Sequence, residues 1–427
     1  MSTQLVTRTG LELGPPSCPG QFALPNGSSL QDGLSEDEAV VIALWNNALF
    51  NELLADLNVA RGDLVQAGLL PNPEVVYFVP VNDKPFKYAL DFPLESLWLR
   101  PIRVRAAARE SSRVSQRLTQ SGLDLIRDAR QGFADALLAQ GRLEVARQSA
   151  AMRGEILRVA EARLQAGDIS VQETVTARID MLRARQELSR AGFDVALAEE
   201  RLRNLLGVGD DRSPLRLIAA PLPPLLRLHA DTLVAEATST RPDVMSANQN
   251  VAAAAERVRL SRVGWVRFLG ILDATSGTRT GHEFGPALRM TLPIFNWNEG
   301  LIIRAEAELE RARRQRQTVH NQVVMEVYQA HARVEQARAE LDVLDRQVLV
   351  EAERSRTRAE GAFREGDTAY IIVLETIRQV LDSRLRQQQL HADLRRAWAD
   401  LERSVGRRLT AEPLPPPAAP LPPPQTP

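Results

Sequence analysis

Two sets of carboxylates carry the most distinctive chemistry in this sequence. Asp168 and Glu173 follow the glycine of RLQAGD, and Asp367 and Glu375 follow the glycine of FREGD. Carboxylates crowded together repel one another, raise each other's pKa and attract cations, so a cluster of them depends on pH and divalent ions. The plainer reading of Asp168 and Asp367 is that each caps the helix that follows. Glu173 and Glu375 are set further along, where the plainer reading is a solvated helix face. The other reactive residue types offer less. His229, His282, His320, His331 and His391 form no i,i+4 pair and no HExxH arrangement, so no metal centre is expected. Cys18 is the single cysteine, which excludes an intrachain disulfide framework or a cysteine-built zinc site. No apolar stretch precedes it, so it reads as a free thiol and not as a lipid-modified residue. A P-loop, a GxSxG elbow and a dinucleotide fingerprint are all missing, so neither an enzyme nor a bound cofactor is expected.

The elements that position these carboxylates are written twice. Gly167 answers Gly366 and Gly207 answers Gly406, each 199 residues on, while DFPL from Asp91 returns as TLPI from Thr291 after 200. RLRNLLG from Arg201 returns as DLERSVG from Asp400, and Ala43 to Asn47 answers Ala237 to Arg241. Each half reads as a helix, a β-like hairpin, a very long helix, a glycine-marked turn and a shorter helix. The expected boundaries are an irregular leader over 1–33, a first repeat over 34–208, a linker over 209–230, a second repeat over 231–408 and a proline-rich, polyproline-like tail over 409–427. Within the repeats, β-hairpins are expected at 73–95 and 267–295, and long helical hairpins at 102–207 and 301–406.

Val323, Val327, Ala330, Val334, Ala337, Leu341, Leu344 and Val348 step by four and three, the 3.5-residue seam of a coiled coil. Proline-free runs from Arg103 to Leu164 and from Ile302 to Phe363 each span roughly 90 Å as helix. Shorter helices, about Ser35 to Ala67 and Val171 to Leu206, fit end to end along one long helix, with Gly167 at the tip of an antiparallel hairpin. Between helices the period drops to two. Phe86, Tyr88, Leu90, Phe92 and Leu94 alternate with Lys87, Ala89, Asp91 and Pro93. His282, Phe284, Pro286, Leu288, Met290 and Leu292 do the same, giving strands with one apolar and one polar face. Most of the aromatic residues fall in or beside these hairpins.

Composition narrows the function. Among 427 residues, 53 Lys+Arg balance 54 Asp+Glu, so nucleic acid has no basic surface to bind. No run approaches the roughly 18 apolar residues of a membrane-spanning helix, so any entry into a membrane is as strands. The first residues lack the charged start and apolar run of a secretory signal, which is read as a truncated or misassigned start. Four strands cannot close a barrel when the smallest membrane barrels have about eight, and open edges in lipid cost several kcal/mol per unpaired group. Alanine-lined helices likewise need neighbours. Copies of the chain must therefore assemble, and a tube so made serves as a conduit.

GLLPNPEV from Gly68, the strand endings FPL and LPIFN, and the two Gly-Asp tips make the chain resemble the TolC-type outer-membrane efflux protein family over about Ser35 to Arg408. The resemblance implies a mainly α fold with a small β part. In it a duplicated helix/β-hairpin/long-helix unit forms a trimeric α-helical barrel, continued by a 12-stranded outer-membrane β-barrel with four strands per protomer. It implies a passive exit duct of a tripartite efflux pump in the cell outer membrane, with its helices in the periplasm. The implied partners are a homotrimer's sister copies, a periplasmic adaptor protein, an inner-membrane transporter of the RND type and outer-membrane lipid. The implied gate residues are Glu173 and Glu375, beside the tip turns Gly167, Asp168, Gly366 and Asp367. Two positions depart from the family pattern: Ile372 replaces a carboxylate common in the second repeat, and no proline follows Gly264 and Trp265. A structural coiled-coil protein bracing the envelope is the alternative reading.

Overall fold

The computed structural model describes residues 2–14, 22–25, 33–79, 86–209, 215–219, 221–222, 229–265, 267–277, 281–292, 294–365 and 367–409. Cys18, Gly366, the tail beyond 409 and the NDKP turn at 82–85 lie outside them. The chain forms two compact units, Glu52–Gln120 with Thr238–Gln322, and Ser2–Asn51 with Ser121–Ala237 and Val323–Pro427. Each draws on both halves of the sequence, so the repeats are not themselves the compact units.

The leader expected to be irregular carries a helix, α1 (Ser2–Thr9), whose Leu5 is fully buried beside Gly122 and Phe50. The opening helix of the first repeat is two helices, α2 (Glu36–Asn46) and α3 (Ala48–Gly68), broken at Asn47. Ser35 starts α2 with a capping box, its hydroxyl accepting from the Glu38 amide while the Glu38 carboxylate accepts from the Ser35 amide. The second repeat breaks in the corresponding place: α6 (Ala230–Thr240) ends before Pro242, which opens α7 (Pro242–Val263).

In the first unit, β1 (Glu74–Phe78), β2 (Lys87–Pro93), β3 (Phe268–Gly277) and β4 (Gly281–Met290) form an antiparallel sheet in the order β1-β2-β3-β4. The outer edges of β1 and β4 have no partner strand among the described residues. At 3.4 Å per residue and a 45° tilt, the ten-residue strands β3 and β4 rise roughly 24 Å, close to the apolar band of about 25 Å in an outer membrane. The five residues of β1 fall well short. Next to the sheet, α7 buries Val244, Ala247, Ala253, Ala254 and Val258. Its flanks pair with α4 (Glu95–Ala166) through Arg105–Glu256 and Arg257–Glu110, and with α8 (Glu299–Val343) through Arg262–Glu306.

The second unit is helical. Phe133 of α4, Leu202 and Leu206 of α5 (Val171–Leu206), Ile42 of α2 and Leu401 of α10 (Tyr370–Val405) are fully buried. α5 has the bounds its sequence pattern gives. The second long helix does not run unbroken: α8 passes into a π-helical turn, Leu344–Val348, before α9 (Leu349–Glu365). Val323 to Leu344 are all buried at the seam positions, but Val348 is exposed and Ala352 and Ala359 take over. The wider turn rotates the face, and a strict 3.5-residue count cannot register that rotation.

Candidate functional site

Two places in the fold correspond to the chemistry read from the sequence. The first is the sheet. Tyr77 lies opposite Tyr88 and Phe78 opposite Lys87, and β2 continues this register into β3, with Leu90 opposite Leu272 and Ala89 opposite Asp273. Side chains alternate across a pleated strand, so the register sorts them into two faces. One face holds Val75, Tyr77, Tyr88, Leu90, Phe92, Phe268, Leu272, Phe284, Leu288 and Met290; the other holds the charged residues Glu74, Lys87, Asp91, Asp273, Glu283 and Arg289 with Thr275, interspersed with Val76, Phe78, Leu269 and Ile271. The alternation read in the sequence therefore survives in the fold without a slip. On the apolar face Tyr77 packs on Phe86 and Tyr88, with ring centroids 5.9 and 5.2 Å apart. On the polar face Lys87 Nζ lies 2.7 Å from Asp273, and Arg289 reaches 4.0 Å from Asp91.

Aromatic residues also mark the ends of the strands. Trp98 meets Phe268 edge-on at 5.6 Å and Trp265 meets Trp297 at 5.7 Å, while Phe295 is 98% exposed.

The second place is the hairpin tips of the helical unit. Gly167 turns α4 into α5 at φ +83°, a left-handed conformation that favours glycine. Asp168 does not cap α5. Ser170 does, its hydroxyl accepting from the Glu173 amide at 3.3 Å and donating to the Glu173 carboxylate at 3.2 Å. Asp367 is likewise not a cap, since Ala369 holds that position of α10. Sequence reasoning placed both caps too early: the extended N-cap residues are Ser170 and Ala369, two positions beyond Asp168 and Asp367.

Glu173 and Glu375 are both exposed, on α5 and α10 respectively. Arg378, one turn on, bonds to Glu375 at 2.8 Å and holds its carboxyl below the ordinary value of 4.5. Within the chain, then, the local guanidinium outweighs the upward shift read from carboxylate crowding. Glu173 has no basic partner in an ion pair among the described residues. It borders a cavity of about 610 Å³ with Met152, Ile156, Phe363, Val373 and Ile377. Two small cores flank this cavity: Leu157, Ala160, Ala177 and Met181 join α4 to α5, and Val145, Ala359, Val373, Ile377 and Leu381 join α4 to α9 and α10.

Sequence reasoning missed the contact that ties the two tips. The Arg163 guanidinium lies over the Phe363 ring and donates to the Phe363 carbonyl. Both residues stand a few positions before their tip glycines, and the repeat alignment was the signal that would have found them. Missed too was Arg130, 7% exposed, which meets Glu402, Asp37 and Glu36. No group of three or more His, Cys, Asp or Glu suited to a metal ion occurs among the described residues.

A two-faced sheet whose outer edges have no partner strand among the described residues, in a chain that also holds duplicated helical hairpins, defines the class of outer-membrane channel that is completed by its own copies. A family model described as outer membrane efflux protein matches residues 86–208 and 233–407. The chain belongs to this family. It is similar to the cobalt-zinc-cadmium resistance protein CzcC of Cupriavidus metallidurans, 26% identical over 293 residues that cover 65% of this chain and 68% of that one. Its fold matches crystal structures of CusC, with a TM-score of 0.74 at 16% identity over 92% of this chain and 98% of that one. It also matches VceC of Vibrio cholerae, at 0.74 and 16% over 87% and 96%, and the channel OprN, at 0.74 and 17% over 92% and 99%. The protein is a non-enzymatic outer-membrane exit channel of an efflux pump, a trimer that works with an adaptor and an inner-membrane pump and keeps its helices in the periplasm. The reading as a structural brace is set aside.

Proposed function

We propose that three copies join β1 of one sheet to β4 of the next, so that the apolar face meets outer-membrane lipid and the polar face lines the passage. The register carries this reading: it puts every charged residue of the strands, with the Lys87–Asp273 and Arg289–Asp91 pairs, on one face and leaves the other to mainly aromatic and aliphatic side chains. In lipid an exposed strand edge costs several kcal/mol per unpaired backbone group, a cost that ring closure removes. The Trp265–Trp297 pair fits the headgroup level, where amphipathic rings concentrate. Quenching of tryptophan fluorescence by lipids brominated at defined depths tests the placement. Quenching strongest at the acyl-chain midpoint, or absent, would contradict it.

The inner-membrane partner in this reading is an RND-type transporter, and the cargo includes divalent transition-metal ions. The similarity to CzcC supports the cargo, and the ions are substrate in transit, not a resident cofactor. Deleting the gene should lower tolerance to cobalt, zinc or cadmium while tolerance to organic toxicants stays unchanged. The reverse pattern would reassign the cargo.

Glu173 and Glu375 act as the periplasmic gate in this proposal, with Asp168 and Asp367 shaping the turns beside them. Planar-bilayer recordings of Glu173→Ala and Glu375→Ala decide the point, since unchanged closed-state conductance and unchanged cation block remove both residues from the gate.

A further inference from the structure

We propose that a cavity at the foot of the sheet binds a small zwitterion carrying an ammonium and an oxyanion. The cavity has a volume of about 410 Å³, towards the small end of the range for ligand clefts, and Glu74, Asp91, Glu95, Leu99, Arg103 and Arg267 are among the residues around it. Asp91 is 7% exposed, and its Oδ1 has no hydrogen-bond partner among the described residues. Among the described residues, its other oxygen pairs with Arg289, at 4.0 Å. Nε and Nη2 of Arg103 are buried without an acceptor as well. Those two nitrogens share one edge of the guanidinium, the edge that grips two oxygens of a carboxylate or phosphate side by side. Glu95 is already engaged, accepting from the Phe268 amide at 3.2 Å.

A buried charge without a partner is strongly unfavourable, and here a carboxylate oxygen and a guanidinium edge border one cavity without pairing with each other. A ligand that donates from an ammonium to Asp91 and accepts from Arg103 satisfies both. A simple anion or a simple cation strands one of them, and a metal ion lacks a sufficient set of ligands. Asp91, Glu74 and Leu269 share the polar face by register, so the ligand arrives as a free solute from the passage; this assignment of its source rests on the proposed orientation of the sheet. An ethanolamine phospholipid headgroup presents the same pair of charges from the lipid side.

The test uses the full-length trimer in phosphatidylglycerol nanodiscs, titrated with O-phosphoethanolamine by calorimetry. Saturable binding is expected, without competition from inorganic phosphate or ethanolamine alone. Asp91→Asn and Arg103→Gln should each weaken it on the order of tenfold or more, the loss of a charge-assisted hydrogen bond. Leu99→Trp, which fills the cavity and leaves every charge in place, should abolish it while the trimer stays heat-modifiable on a gel. If nanodiscs of phosphatidylethanolamine suppress the binding, the site stands and the headgroup is its occupant. Absence of binding, equal binding by the variants, competition by phosphate alone, or a high-resolution structure with Asp91 and Arg103 bridged directly or by water would each overturn the proposal. Conductance recorded on the same trimers separates the two claims: a conducting trimer that binds no zwitterion fails only the site.

Discussion

Arg163 and Phe363, one from each repeat, are locked together at the hairpin tips. The guanidinium carbon lies 4.1 Å from the ring centroid, and Nη2 donates to the Phe363 carbonyl at 3.2 Å. A cation–π contact at a half-exposed site contributes about 0.5–1 kcal/mol. Arg163→Ala and Phe363→Leu should therefore each speed amide exchange at residues 363–375 several-fold, and the double variant should exceed neither single by much. Arg163→Lys, which keeps the charge and loses the planar stack, should fall between. Exchange that is unchanged in all four proteins would show that the tips are held by the apolar cores alone.

Glu375 gives the pH dependence of the tip a definite sign. Its carboxyl is depressed below 4.5 by Arg378, so the pair is fully formed above the ordinary carboxylate value and is lost only as pH falls through the depressed one. Block of the channel by added cations should therefore show no titration from this residue between about pH 7 and pH 5. Arg378→Gln frees one negative charge per copy and should strengthen the block. A block that weakens in Arg378→Gln would mean that Glu375 points away from the ion path.

The glycines that end and join the helices differ in what surrounds them. Gly207 has φ +70°, and a Cβ there would come within 2.2 Å of the Asn46 carbonyl oxygen. Gly167 has φ +83°, with nothing within 4 Å of its Cβ position. Gly167→Ala should cost only the left-handed conformation, about 1–2 kcal/mol, while Gly207→Ala adds a backbone collision. Thermal melting of the two variants should rank Gly207→Ala clearly the worse.

The buried guanidinium of Arg130 holds α4 to α2 and α10. Removing one member of such a set leaves the others charged and unpaired, typically at about 3–5 kcal/mol. Arg130→Leu should destabilise the protein by about that much because Glu402 is stranded, although Glu402 keeps its bonds from the Trp398 indole and the Leu409 amide. Denaturant melts followed by helical circular dichroism measure the loss. A loss under about 1 kcal/mol would show that Glu402 is satisfied without Arg130.

Half of the sheet was legible in the sequence: β2 and β4 alternate cleanly, whereas Val75 to Val81, which holds most of β1, is apolar on both faces and β3 shows no clear period. Period-two alternation fixes which face each side chain takes, and a face that must be apolar leaves no freedom to slip. The helices were legible where serine and glycine punctuate them, as at Ser35 and Gly207, but the break before Pro242 was not read. The π-helical turn at Leu344–Val348 was not, because LDRQV contains no helix breaker and its seam residue, Val348, is as apolar as its neighbours. α1 was missed for a different reason: its eight residues have too little pattern to show a period, and the burial of Leu5 depends on residues far along the chain. Of the site, the acidic residues were read from position. Their partners were not, since Arg378 is one arginine among many and only the geometry selects it for Glu375.

The extra width of that π turn distinguishes the long helices of the two halves. α4 crosses its repeat as a single helix of 72 residues, while its counterpart is divided into α8 and α9. A trimer presents six hairpins of two alternating kinds, so its ring has threefold parity on a nearly sixfold scaffold. Any partner gripping that ring must tell odd hairpins from even ones, or bind both through features they still share.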